Sequence, residues 1–196
     1  MEKNLPIFEL LIDETDTEVT AISLVDRPAI QRNFMKFSED QPGKVKQNFK
    51  FNDERRIITG AIMLADEPIY RNDNGFEYLV TFSPDTIMKI VQKVFRKGYH
   101  NNVNLQHNGD DQLDGVTMFE SWIVDPSRGI NGIDGVMAKP GSWMGSFHIE
   151  NDRAWSMAKN DEIRGFSIEG VFNYKKQLTQ PEQMMANIID VLNQIS

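Results

Sequence analysis

Apolar positions along the chain recur with two periods, and the shorter one dominates. Residues 7–13 and Glu18–Val25 are short apolar runs, the second rich in β-branched residues, with the turn-prone Glu14-Thr15-Asp16-Thr17 between them. They predict a pair of strands. Residues 56–65 and 76–82 predict two more, joined as a hairpin through 66–75, where Pro68, Asn72, Asp73, Asn74 and Gly75 supply turn chemistry. Residues 102–107, 116–124 and Trp143–Ile149 follow, punctuated by a loop carrying Gly129, Gly132, Gly135, Pro140 and Gly141, and 163–174 predicts the next strand.

The helical period is confined to three places. Ser83-Pro84-Asp85 is a helix start, because a hydroxyl caps free N–H groups, proline suits the first turn and an acid suits the positive helix end. Ile87, Ile90, Val91, Val94 and Phe95 follow at helical spacing, and Gly98 ends the run. Residues 150–160 predict a short helix. Thr179-Gln180-Pro181-Glu182 matches a capping box ahead of the stripe Met184, Met185, Ile188, Ile189, Leu192 and Ile195, which reads as a core face or as a docking face. No period is sustained over 26–53, which predicts a mobile connection. The pattern gives one domain over 1–178, the connection 26–53 inside it, and a C-terminal amphipathic helix over 179–196. The class is α+β, β-dominated: a sheet or barrel flanked by helices.

Composition narrows the chemistry. A length of 196 residues suits one core. Twenty-nine acids against 21 Lys plus Arg give a net charge of −8, a sign that opposes nucleic-acid binding. The absence of cysteine removes disulfides, thiolate metal sites and a Cys nucleophile together. No stretch reaches the roughly 18 apolar residues of a membrane helix. The acidic start lacks the layout of a signal peptide, so a cytoplasmic protein is expected.

Histidines stand at 100, 107 and 148, and the segment Gly165-Phe166-Ser167-Ile168-Glu169-Gly170 sets a hydroxyl on an otherwise apolar strand. Strand alternation points Ser167 and Glu169 to one face and Phe166 and Ile168 to the other. A serine beside glycine on a strand also serves simply to pair with neighbouring backbone. Glu169 occupies the place where the α/β-hydrolase elbow needs glycine, which disfavours that fold. His107 closes its strand next to Asn108-Gly109-Asp110-Asp111, a position that suits a general base whose tautomer a third group must fix. The nearby Asp110, Asp111 and Asp114 equally allow a weak metal site.

Six ordered segments, AISLVDRPAI at 21–30, ITGAIMLADEPIYR at 58–71, NVNLQH at 102–107, FESWIVD at 119–125, KPGSWMG at 139–145 and GFSIEG at 165–170, resemble the phage prohead proteases of the XkdF-like branch. These are similar to the herpesvirus assemblins. The resemblance implies a small herpesvirus-protease-like β-barrel flanked by helices, and a serine endopeptidase that cleaves scaffold protein and major capsid protein during head maturation. Self-cleavage and self-association are further expectations. It implies no metal, cofactor or ATP, no nucleic acid or membrane partner, and a location inside the procapsid in the infected bacterium. By the motifs, Ser167 is the nucleophile and His107 its base. In the commoner prohead proteases an acid precedes the ISLV motif, and that motif follows the nucleophile. Here Ala21 holds the acid's place and the motif lies near the N-terminus, as in a circular permutation. Glu120 is the first choice for the orienting third member, on a strand expected beside that of His107, with His148 and Glu169 as alternatives. The Lys139-Pro140-Gly141-Ser142 loop resembles a segment near the site, without assigning oxyanion donors. The rival readings are a non-catalytic head-assembly protein with the same barrel and an esterase-type hydrolase.

Overall fold

The computed structural model describes residues 5–13, 18–26, 49–52, 55–134, 136 and 138–177. Among them, strands assemble into three four-stranded sheets, none of which closes on itself. The first contains β1 (Ile7–Leu11), β5 (Ile69–Asp73), β6 (Phe76–Thr81) and β12 (Asn173–Lys176), in the order β12-β1-β6-β5. The second contains β3 (Phe49–Asn52), β4 (Ile57–Met63), β9 (Val116–Ile123) and β10 (Trp143–Ile149), in the order β3-β4-β10-β9. The third contains β2 (Glu18–Val25), β7 (Val103–Leu105), β8 (Asn108–Gln112) and β11 (Gly165–Val171), in the order β11-β2-β7-β8.

The β-dominated α+β class holds, whereas the barrel does not form among the described residues. Closure would need every edge to find a partner. Edge strands β8 (NGDDQ) and β12 (NYKK) are short, polar and exposed, which blunts them against further pairing. Three local expectations also change. The first two strands are not partners, since β1 pairs with β6 and β12 while β2 pairs with β7 and β11. The hairpin is β5–β6, not β4–β6. Asn74 (φ 52°) and Gly75 (φ 90°) make its tight turn, so Ile69–Asp73 is strand where only turn chemistry was read. Phe49–Asn52, inside the expected connection, is an edge strand on β4. The helix expected over 179–196 and nearly all of the rest of the connection lie outside the described residues.

Helix α1 (Pro84–Lys97) follows its sequence signals: Ser83 accepts from the Thr86 N–H, and Gly98 closes the helix in the left-handed conformation at φ 76°. It buries Ile87, Ile90 and Val94 in one cluster with Trp143 and Phe147 of β10, Ile58 of β4, and Ile22 and Leu24 of β2. Each such aliphatic contributes about 1.5–3 kcal/mol of transfer free energy. Phe147 meets Phe166 of β11 at 4.8 Å between ring centroids, packing the second sheet against the third. Helix α2 (Asp152–Lys159), capped by Asn151, adds Ala154 and Ala158 to the same core.

Candidate active site

The third sheet turns its apolar face, Ile22, Leu24, Val103, Leu105 and Phe166, into this core. Alternation therefore sends the intervening side chains to the opposite face. Register lines three of them up: Ser167 of β11 lies directly across from Ser23 of β2, which lies across from Asn104 of β7. Glu169 sits two residues beyond Ser167 on the same face, across from Ala21. Ser23 and Asn104 are nonetheless buried, at 0% and 2% exposure, while Ser167 is half-buried.

His107 arrives from the β7–β8 hairpin. Leu105 pairs with Asn108, so Gln106 and His107 form a two-residue turn with φ of 52° and 58°. Positive φ at both central positions is what a type I′ turn requires, and it favours Asn-Gly. Two bulky L-residues there cost roughly 1–2 kcal/mol each. The turn is held by the tip of β2, where Gln106 donates its N–H to the Leu24 carbonyl at 3.0 Å and accepts from the Asp26 N–H at 3.2 Å. The result puts the imidazole over the polar face of β2 instead of at the end of an extended strand.

There the polar groups converge. His107 Nδ1 is 3.1 Å from Ser23 Oγ and 3.3 Å from Glu169 Oε1. Ser23 Oγ is 2.7 Å from Glu169 Oε1 and 2.7 Å from Asn104 Oδ1, and Asn104 Nδ2 donates to Glu169 Oε1 at 2.7 Å. Burial pushes the Glu169 carboxyl up, but the hydrogen bonds from Ser23 and Asn104 and the neighbouring imidazole outweigh it and hold the group below the ordinary carboxylate range. Glu169 is thus an anion facing Nδ1, an arrangement that favours a proton on Nδ1 and leaves Nε2 as the basic nitrogen. Ser23 touches the imidazole but is sealed from solvent, so no peptide carbonyl reaches it. Ser167, its half-buried cross-strand neighbour, is the hydroxyl with access. Among the described residues no hydrogen bond joins Ser167 to His107, a pairing that often tightens only when substrate binds.

The other candidates lie elsewhere. Glu120 is on β9, which pairs with β10 and not with the strand leading to His107. Its carboxylate accepts from Ser146 Oγ at 2.5 Å, and Ser146 in turn meets Thr59 Oγ1 at 3.0 Å. His148 is on β10, between Ile57 and Thr117. Asp111 takes a two-pronged bond from Arg153 at 2.9 Å, and no group of three metal-ligating side chains gathers among the described residues. The Lys139-Pro140-Gly141-Ser142 loop packs on the start of α1, where a Cβ on Gly141 would stand 2.5 Å from Pro84. Its Gly141 and Ser142 amides already bond to Val124 and Lys139 carbonyls.

Sequence reasoning quoted the segments that hold Ser23 and Asn104 but gave those two residues no role. A signal was present: each is the lone polar residue of an apolar run, AISLV and VNL, in a β-rich chain. The description "putative phage serine protease XkdF" belongs to the family model that matches residues 44–175, a span containing His107, Ser167, Glu169 and Asn104 but not Ser23. No curated protein and no solved structure matches the chain.

Proposed function

This chain belongs to the XkdF family of phage serine proteases and is a serine endopeptidase; on that premise we propose that it matures phage proheads with Ser167 as nucleophile, His107 as base and Glu169 as the orienting carboxylate. The observation that carries the assignment is the contact of His107 Nδ1 with Glu169 Oε1 at 3.3 Å, on the sheet face that presents Ser167.

In the acylation step Ser167 Oγ attacks the scissile carbonyl carbon while its proton passes to His107 Nε2. The C–N bond then breaks, and Nε2 returns the proton to the leaving amine. Water, deprotonated by the same nitrogen, releases the acyl group and restores the hydroxyl. Glu169 stabilises the imidazolium that forms in between and keeps the ring from turning. Reserving Glu169 for this role fits its depressed pKa, since a carboxylate must stay charged to do it.

The substrates in this reading are scaffold protein and major capsid protein, and the chain itself, cleaved inside the procapsid. No described helix is long and apolar enough to cross a membrane. Co-expression of the chain with its phage's scaffold and capsid protein, beside Ser167→Ala, tests this by intact-mass spectrometry. Fragments that depend on Ser167 are expected. Intact scaffold and capsid protein with both versions, while the chain still enters the procapsid, would replace this reading with that of a head-assembly protein.

A further inference from the structure

Proton counting in the buried cluster shows how it constrains the imidazole. Ser23 Oγ has one hydrogen to give, and two oxygens compete for it at 2.7 Å, Asn104 Oδ1 and Glu169 Oε1. If His107 Nδ1 were an unprotonated acceptor, three acceptors would surround that single hydrogen, and two of the contacts would set lone pair against lone pair. With the proton on Nδ1 the deficit falls: Nδ1–H points at Ser23 Oγ and Glu169 Oε1, and Asn104 Nδ2 supplies the second donor to the carboxylate. A buried network is stable only when its members are satisfied, so burial of Ser23 and Asn104 converts a local preference into a fixed one. Among the described residues, His107 is the titratable group in contact with Glu169.

We propose that Ser23 and Asn104 are positioning residues that act from behind the imidazole, pinning the Glu169 carboxylate and keeping the proton of His107 on Nδ1 so that Nε2 faces the nucleophile. The role rests on the assignment of Ser167 and His107 above. It also explains why two polar side chains are buried between the apolar positions Ile22 and Leu24 of β2 and Val103 and Leu105 of β7. Ser23 contributes its hydroxyl from outside the span that the family model matches.

The test compares Ser23→Thr with Ser23→Val in the full chain, two side chains of one shape that differ only in the hydroxyl. The first readout is the rate, against pH, at which a fluorophosphonate labels Ser167, located by peptide mass spectrometry. In that reaction Ser167 Oγ bonds to phosphorus, fluoride leaves, and the hydroxyl proton goes to His107. The second readout is the imidazole 15N spectrum of 15N-histidine protein, with the His107 signals identified by His107→Gln. Wild type and Ser23→Thr should show Nδ1–H with a bare Nε2 and label at similar rates. Ser23→Val should label about tenfold more slowly, the loss of one hydrogen bond read as rate. Its pH profile should also depart from that of the wild type, with a smaller Nδ1–H population. A Ser23→Val protein with wild-type tautomer and pH profile overturns the inference while leaving the triad intact. A wild-type chain that labels nowhere at Ser167 overturns the triad instead, and the 15N spectra still decide the role of Ser23.

Discussion

Two sheets of this molecule bury a serine against a carboxylate one strand away, and among the described residues only one of the pairs has an imidazole within hydrogen-bond distance. In the second sheet Thr59, Ser146 and Glu120 line up across β4, β10 and β9, with Ser146 fully buried and bonded to both neighbours. In the third sheet Asn104, Ser23 and Ser167 line up across β7, β2 and β11, with Glu169 bonded to the central serine. The shared part is an ordinary way of satisfying a buried hydroxyl. The difference is the strained hairpin that brings His107 over the third sheet, together with a second, accessible hydroxyl in line. A serine–carboxylate pair is therefore weak evidence for a protease site, and the group that closes over it decides.

The widest gap between the two clusters should appear in activity. Ser167→Ala and His107→Gln should each remove essentially all Ser167-dependent cleavage and labelling, a loss of about 10⁴-fold or more by the behaviour of other triads. Their counterparts in the second sheet should leave it untouched. Glu169→Gln is expected to slow labelling by about 10³-fold, because the amide no longer fixes or stabilises the imidazolium. Glu120→Gln, at an exposed position, should change it by less than about threefold. Equal losses for the two would break the comparison.

Acidification sharpens it further. Because the Glu169 carboxyl is held below its ordinary range in the folded chain, its contribution to stability is complete above its unfolded pKa of about 4.3 and is lost as pH falls through the lower folded value. The melting temperatures of wild type and Glu169→Gln should thus differ most near neutrality and converge in acid. Ser146→Ala should cost about 1–3 kcal/mol in chemical denaturation, the loss of its hydrogen bonds to Thr59 and Glu120, with labelling unchanged. The smallest effect belongs to the turns. Asn74-Gly75 and Gln106-His107 close two hairpins with the same sign of φ, and only the first uses residues suited to it. Asn74→Gln should lower the unfolding free energy by about 0.5–1 kcal/mol, whereas in Gln106→Asn the easier φ is offset by loss of the side-chain bond from the Asp26 N–H, for a net change under about 0.5 kcal/mol.

Much was legible before any coordinates. Apolar runs placed β2, β4, β6, β9 and β10 closely, and Ser83, Pro84 and Gly98 bounded α1, because alternation and caps are local properties of the chain, whereas the single strand expected over 163–174 is β11 and the start of β12 in two different sheets. Pairing was not legible. β4 and β6 read as consecutive strands of a hairpin, yet β5 intervenes, β4 joins β10 and β6 joins β1, partners chosen by long-range burial. The same limit governed the site. Motifs pointed to Ser167 and His107, and strand alternation put Ser167 and Glu169 on one face. Which acid meets the imidazole depends on sheet order, and that order places Glu169 against His107 and Glu120 against Ser146. The sequence by itself determined a β-dominated chain without thiols and with few histidines. Tertiary structure alone decided that Ser23 and Asn104 are buried behind the imidazole, because burial of a polar side chain is set by what packs over it and not by its own strand.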